Sequence, residues 1–191
     1  MLGLGSRTTR SVIESEEELI TRLKAGDERV AEALFRSLYG TLCRFAHQRI
    51  SSRQDVEDIV ENAFEQLWSS RRNLDPSRSV RSYLFKIVQN KCIDYLRQNG
   101  KEFITFEEER AHAVSNANPI HDTVHSELAV AVNAAIQHLP SKCKEIFTLS
   151  RQHGLTQPEI AEVLGISQKT VENQIGRAIK LLRKRLKNYL A

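Results

Sequence analysis

Cysteine is scarce: Cys43, Cys92 and Cys143 lie far apart along the 191 residues, with no CxxC or comparable metal-ligand spacing. That pattern suits a reduced cytosolic interior and leaves a structural zinc site without ligands. No apolar run reaches the roughly 18 residues that a membrane span requires. Nothing has the layout of a secretory signal, so a soluble chain without direct membrane insertion is expected. The eight glycines form no phosphate-cradling loop, and no nucleophile is paired with a general base. No catalytic, cofactor-binding or metal residue is therefore assigned. Cys43 with His47, and His121 with His125, stand one helical turn apart, but two ligands do not make a metal site. The chain also has no internal repeat.

Charge of one sign is not in large excess. Lys and Arg number 28 against 24 Asp and Glu, for a net +4 and a pI near 9.0, too mild to name a partner. The distribution says more. Residues 54–66 carry Asp55, Glu57, Asp58, Glu61 and Glu65 and no base, whereas 71–101 are strongly basic. Residues 102–127 are acidic again and the C-terminal stretch is basic. Such alternation implies separate surfaces for separate partners.

Apolar spacing predicts helix almost throughout from Ser15. Leu19, Ile20 and Leu23 share one face before Gly26. Asp27 caps a longer helix with Val30, Ala31, Leu34, Phe35, Leu38, Leu42, Phe45 and Ala46 inside. Residues 55–68 repeat the pattern with Val56, Ile59, Val60, Ala63, Phe64, Leu67 and Trp68. Asp75-Pro76-Ser77 places a loop at 73–79, and 80–97 is again amphipathic. Asn99-Gly100 ends this unit. Two more helices are expected at 127–138 and 141–152, broken by Pro140. The expected fold class is all-α: two helical domains, 15–100 and 127–191, joined by a flexible acidic linker at 101–126 and preceded by a flexible tail at 1–14.

The segment TQPEIAEVLGISQKTVENQI, residues 156–175, has the spacing of a helix-turn-helix. Ile160, Val163 and Leu164 form one stripe, and Val171 and Ile175 a second. Gly165 permits the positive φ that ends a helix, and Ser167 caps the next. Thr156 and Glu159 have capping-box spacing, and Ala161 is small where the helices meet. In such a unit the second helix enters the DNA major groove. A plain αα-hairpin is the alternative; against it, Lys169, Arg177, Lys180, Arg183, Lys184, Arg185 and Lys187 face one acid, Glu172, over 168–191. In the first unit, Arg81, Tyr83, Phe85, Lys86, Asn90, Lys91, Tyr95 and Arg97 follow a loop containing Arg71, Arg72, Asn73, Ser77, Arg78 and Ser79. Aromatics beside arginines suit single-stranded nucleic acid, and small polar loops suit an extruded base. The alternative places Tyr83, Phe85 and Tyr95 in the core.

DVEDIVENAFEQLW, RSYLFKIVQNKCIDYLR and LPSKCKEIFTLSRQHGLTQPEIAEVLGISQKTVENQIGRAIKLLRKRL together resemble regions 2 and 4 of bacterial extracytoplasmic-function (ECF) sigma factors, over about residues 16–186. The resemblance implies a non-enzymatic, cytoplasmic initiation subunit without cofactors. It implies that Asp55, Glu57, Asp58, Ile59, Glu61, Phe64 and Trp68 dock on the β′ clamp helices of core RNA polymerase. Many members carry an acid where this chain has Asn62. Promoter DNA at the minus-ten element falls to the loop and following helix, with Asn73, Ser77, Arg78, Arg81, Lys86, Asn90, Lys91 and Arg97. The minus-thirty-five element falls to Gln168, Lys169, Thr170, Glu172, Asn173, Gln174 and Arg177. Some relatives have arginine in place of Glu172 and Gln174, so their promoter sequence does not transfer. Apolar residues around 146–149 and the last helix are expected at the β flap, and an anti-sigma factor is the implied regulatory partner. The competing reading is a helix-turn-helix regulator with an N-terminal sensing or dimerisation domain; it leaves the basic 71–97 stretch unexplained.

Overall fold

The computed structural model describes residues 15–100 and 127–187. The expected tail at 1–14, the expected linker at 101–126 with its His121–His125 pair, and residues 188–191 lie outside them. The described residues are all-α. Contacts divide the chain into two units between Val88 and Gln89, inside one continuous helix. Each unit is described by itself.

The N-terminal unit contains α1 (Glu16–Lys24), α2 (Glu28–His47), α3 (Arg53–Ser70) and the first part of α4 (Val80–Gln98), the helix that crosses the boundary, with a 3-10 turn at Arg71–Asn73. The side chains of Ser15, Asp27 and Ser52 accept N–H groups at the starts of α1, α2 and α3. These bonds satisfy donors that a helix start leaves without partners. Arg22 donates to Asp27 through Nε at 3.0 Å and Nη2 at 2.7 Å, tying α1 to the cap of α2. Gly26, with φ of 81°, makes the turn between them.

Leu19, Ile20, Leu23, Val30, Leu42, Phe45, Val56, Val60, Ala63, Leu67, Leu84, Phe85 and Val88 form the buried apolar interior. Phe85 meets Phe45 edge-on, with ring centroids 5.1 Å apart. Phe85 is fully buried, so it offers no stacking surface to a base and belongs to the core alternative. The upper part of the α2 stripe behaves differently. Ala31, Leu34, Phe35 and Leu38, all expected inside, are half-buried.

The C-terminal unit contains α5 (Glu127–Gln137), α6 (Ser141–Arg151), α7 (Gln157–Leu164) and α8 (Gln168–Arg185). α8 packs against the other three. One cluster joins Ala135, Leu139, Cys143, Ala178, Leu182 and Leu186. Thr156 and Glu159 form a complete capping box at the start of α7. Gly165 ends that helix in the left-handed region at φ of 66°, and the Ile166 N–H reaches back to the Ala161 carbonyl at 3.0 Å. Ala161 is only 8% exposed. Ser167 then caps α8 by accepting the Thr170 N–H at 3.1 Å.

Candidate nucleic-acid interface

On α8 the buried residues are Val171, Ile175, Ala178 and Leu182, spaced by four, three and four. That spacing keeps one face inward, and it turns Lys169, Glu172, Asn173, Arg177 and Lys180 outward, all exposed. Gln168 and Thr170 are exposed at the helix start. The Lys169 ammonium pairs with Glu172 at 2.8 Å, so the one acid of α8 is spent on a neighbouring base. Arg183, Lys184 and Arg185 extend the cationic surface through the last turn, where they also complement the helix dipole.

Gln174 departs from its neighbours. It is half-buried at the edge of the inward face, and its Oε1 accepts the Cys143 thiol of α6 at 2.8 Å. An adenine edge needs both an acceptor and a donor from a glutamine. The bond to the buried Cys143 thiol turns that oxygen toward α6.

The second basic region is the loop before α4. Asp75 Oδ1 accepts both the Ser77 N–H at 2.9 Å and the Ser77 hydroxyl at 2.7 Å, and Arg78 lies 3.4 Å from Oδ2. The Ser77 hydroxyl, then its N–H, holds the Asp75 carboxyl below the usual carboxylate range. The turn gains this support above the ordinary pKa and loses it as pH falls through the lowered value. Asn73, Ser77 and Arg78 are all exposed. Beside them opens a cavity of about 160 Å³, with Asn73, Asp75, Arg78, Ser79 and Tyr83 at its wall and Ile20 beneath. The Tyr83 phenol oxygen lies 3.2 Å from Ser70 Oγ. Glu16 of α1 accepts the N–H of Val80, a residue of the cavity wall, at the start of α4. No sequence signal points to that bond, because its partners are 64 residues apart.

Along α4, Arg81, Lys86 and Lys91 are half-buried while Asn90 and Arg97 are exposed, Arg97 lying 3.4 Å from Asp94. Ser82, within the expected loop-helix junction, is fully buried and donates to the Ser79 carbonyl at 2.9 Å.

α3 presents the opposite charge. Asp58 and Glu61 are exposed, and Asp55, Glu57, Phe64 and Trp68 are half-buried. Ile59 separates from this group: at 9% exposure it belongs to the buried stripe with Val56, Val60 and Ala63. Asn62 donates back to the Asp58 carbonyl at 2.7 Å. Beside the acids lies an apolar groove of about 330 Å³, formed by Leu23, Ala31, Phe35, Phe64, Leu67 and Trp68. Glu32 and Glu65 stand at its edge, and Arg71 stacks over the Trp68 ring at 4.2 Å. Phe35 and Phe64 lie 4.8 Å apart, centroid to centroid. The half-burial of Phe35 makes this groove, and periodicity alone assigned that ring to the interior. Burial, then Cys43, Glu61 and Glu57, pushes the nearby Tyr39 phenol up to about 12, so it remains a neutral hydroxyl beside the acids.

The residues expected at a flap contact divide. Ile146 and Leu149 are core residues, 2% and 1% exposed, because they face the other helices of their unit. Phe147 is half-buried and leaves part of its ring accessible.

An acid-faced helix with an apolar groove in one unit, and a base-faced helix-turn-helix in the other, define a two-part DNA-binding transcription protein. Known proteins agree. The family Sigma-70 region 2 matches residues 34–102, and Sigma-70, region 4 matches residues 129–182. The RNA polymerase sigma factor CnrH of Cupriavidus metallidurans is 36% identical over 132 residues, covering 65% of this chain and 69% of its own. The ECF RNA polymerase sigma factor SigM of Mycobacterium tuberculosis is 29% identical over 93% of this chain and 85% of its own. The solved structure of CnrH in complex with the cytosolic domain of CnrY matches with a TM-score of 0.59 and 27% identity, covering 91% of this chain and 97% of that one. The chain belongs to the ECF family of RNA polymerase sigma factors, which act in transcription initiation. Among the described residues, no helix is long and apolar enough to cross a membrane.

Proposed function

We propose that this sigma factor divides its work between the oppositely charged helices α3 and α8. The observation that carries the reading is that contrast: five acids and one base on α3, six bases and one acid on α8. Polyanionic DNA selects the second and a basic protein surface the first.

The outer face of α3 and its apolar groove dock on the β′ clamp helices of core polymerase. Asp55, Glu57, Asp58 and Glu61 steer the approach, and Phe64 and Trp68 supply apolar contact. Ile59 acts from beneath, as packing. The exposed loop residues Asn73, Ser77 and Arg78 receive the minus-ten element, and the adjoining cavity accepts one base extruded from the duplex. Arg81, Lys86, Asn90, Lys91 and Arg97 hold the strand's backbone. Gln168, Lys169, Thr170, Glu172, Asn173, Gln174 and Arg177 read the minus-thirty-five element from the major groove. Phe147 is the accessible apolar contact for the β flap.

The protein works in the cytoplasm and catalyses no reaction of its own. An anti-sigma factor that covers these faces is expected as a protein partner; the related CnrH was solved in complex with a protein partner, the cytosolic domain of CnrY. Run-off transcription with purified core polymerase tests the reading. Promoter-specific transcripts that depend on this chain are the expected result. DNA binding without core association, and no transcripts, favours the helix-turn-helix regulator instead.

A further inference from the structure

The Cys143–Gln174 hydrogen bond joins α6 to the DNA-facing helix across 31 residues of sequence. Cys143 is fully buried, seated beside Ala178 and Leu182 in the core of the C-terminal unit. Burial pushes its thiol up from the ordinary value, with Arg177 opposing. The sulfur therefore keeps its proton at neutral pH and acts as a donor. Gln174 lies three residues after buried Val171 and four before buried Ala178. Its stem thus runs along the boundary between the core and the exposed face that carries Asn173 and Arg177.

A glutamine amide has one acceptor oxygen, with two lone pairs, and two N–H donors, and readers of adenine present the oxygen and one N–H together to N6 and N7. In this chain the oxygen is turned toward a fully buried sulfur, away from the exposed face that carries Asn173 and Arg177. We propose that Cys143 is a specificity-determining positioning residue. It takes the amide oxygen of Gln174, leaving N–H donors alone for DNA, so the base opposite Gln174 is chosen for acceptors, not for adenine's donor–acceptor pair. The inference rests on the reading of α8 as the promoter-reading helix. In the major groove, guanine offers two acceptors through N7 and O6, and thymine one through O4. Guanine is accordingly the preferred partner.

Sequence selection by holoenzyme tests this. The full-length chain is assembled with core polymerase and challenged with promoter DNA randomised across the upstream element. Wild type is expected to select guanine at the position that Gln174→Ala flattens. Cys143→Ala frees the amide oxygen and moves that position toward adenine by about tenfold or more. Cys143→Ser retains a donor and keeps the wild-type choice, a rescue that simple loss of packing does not predict. Gln174→Glu leaves the buried thiol untouched. It keeps an acceptor for the thiol but has no N–H, so selection passes to cytosine, whose N4 amino group donates.

The Gln174→Glu arm is half-exposed and does not depend on how well a core substitution folds. Selection unchanged in Cys143→Ala and in Gln174→Glu overturns the proposal. So does a uniform loss of affinity over all sequences in Gln174→Ala, which puts the amide on a phosphate. A wild-type holoenzyme that forms but selects no upstream sequence overturns the reading of α8 itself, and this inference with it.

Discussion

α3 and α8 share one construction and carry opposite charge. Each is 18 residues long, starts at a serine cap and buries a stripe of aliphatic residues and alanine. Each also carries one residue of the wrong sign near its start, paired with a neighbour: Arg53 with Glu57 at 2.8 Å on α3, Lys169 with Glu172 at 2.8 Å on α8. The difference is confined to the outward positions. Burial of the inner stripe makes the helix, and the outer face is then free to choose a partner by charge. Stability and recognition therefore reside on different residues of the same helix.

That separation is broken most directly at matched core positions. Ile59 on α3 and Ile175 on α8 are 9% and 8% exposed. Truncating either to alanine is expected to cost about 2–5 kcal/mol, read by chemical denaturation. The pair also sharpens the placement of Ile59 as packing. Core polymerase affinity reduced by Ile59→Ala with stability intact would show instead that Ile59 touches the partner.

Changes on the outer faces have the reverse profile. Arg177→Ala is expected to weaken binding to the upstream element by about 1–3 kcal/mol with little change in melting temperature. Unaltered affinity and sequence preference would remove Arg177 from the readout. On α3, Asp55→Lys with Asp58→Lys is expected to slow association with core polymerase by roughly tenfold at low salt, an effect that fades as salt rises. Association rates equal to wild type at low salt would unseat the acidic face from docking.

The contrast between the helices is legible in the sequence, because it is local. Apolar spacing, Thr156 with Glu159, Gly165 and Ser167 mark the helix-turn-helix within a few residues of one another, and α7 and α8 start where those caps place them. α3 runs about two residues further at each end than its apolar spacing shows, since Ser52 sets its start. What stayed hidden depends on distant partners. Phe85 reads equally well as a stacking ring or a core ring until Phe45 is found beside it. Gln174 matches an adenine reader by residue type, and its bond to the Cys143 thiol, 31 residues away, has no local signal. The apolar groove arises because Phe35 and Trp68, both spaced as core residues, stop short of full burial.

The turns give a smaller test of the same division. Gly26 and Gly165 both sit in the left-handed region, at φ of 81° and 66°. An added Cβ at Gly165 meets nothing within 4 Å, and at Gly26 it meets only Arg71 Nε at 4.0 Å. Alanine at either place is therefore expected to cost the backbone term alone, about 1–2 kcal/mol, in thermal or chemical denaturation. A much larger loss at Gly26 would mean that the Arg71 stack on Trp68 is disturbed as well.

The smallest effect concerns the wrong-signed residues. The Lys169–Glu172 pair is 72% and 55% exposed, so Glu172→Gln is expected to cost the helix only about 0.3–0.5 kcal/mol. The same substitution removes the one acid from the DNA-facing surface of α8 and releases Lys169 toward phosphate. Stability and DNA affinity should then move in opposite directions, affinity rising most at low salt. Arg53→Gln on α3 is the mirror experiment: it frees Glu57 and should tighten core association while loosening the helix slightly. A fall in DNA affinity for Glu172→Gln, limited to sequences with cytosine at one position, would instead make Glu172 a reader of that base through its N4 amino group.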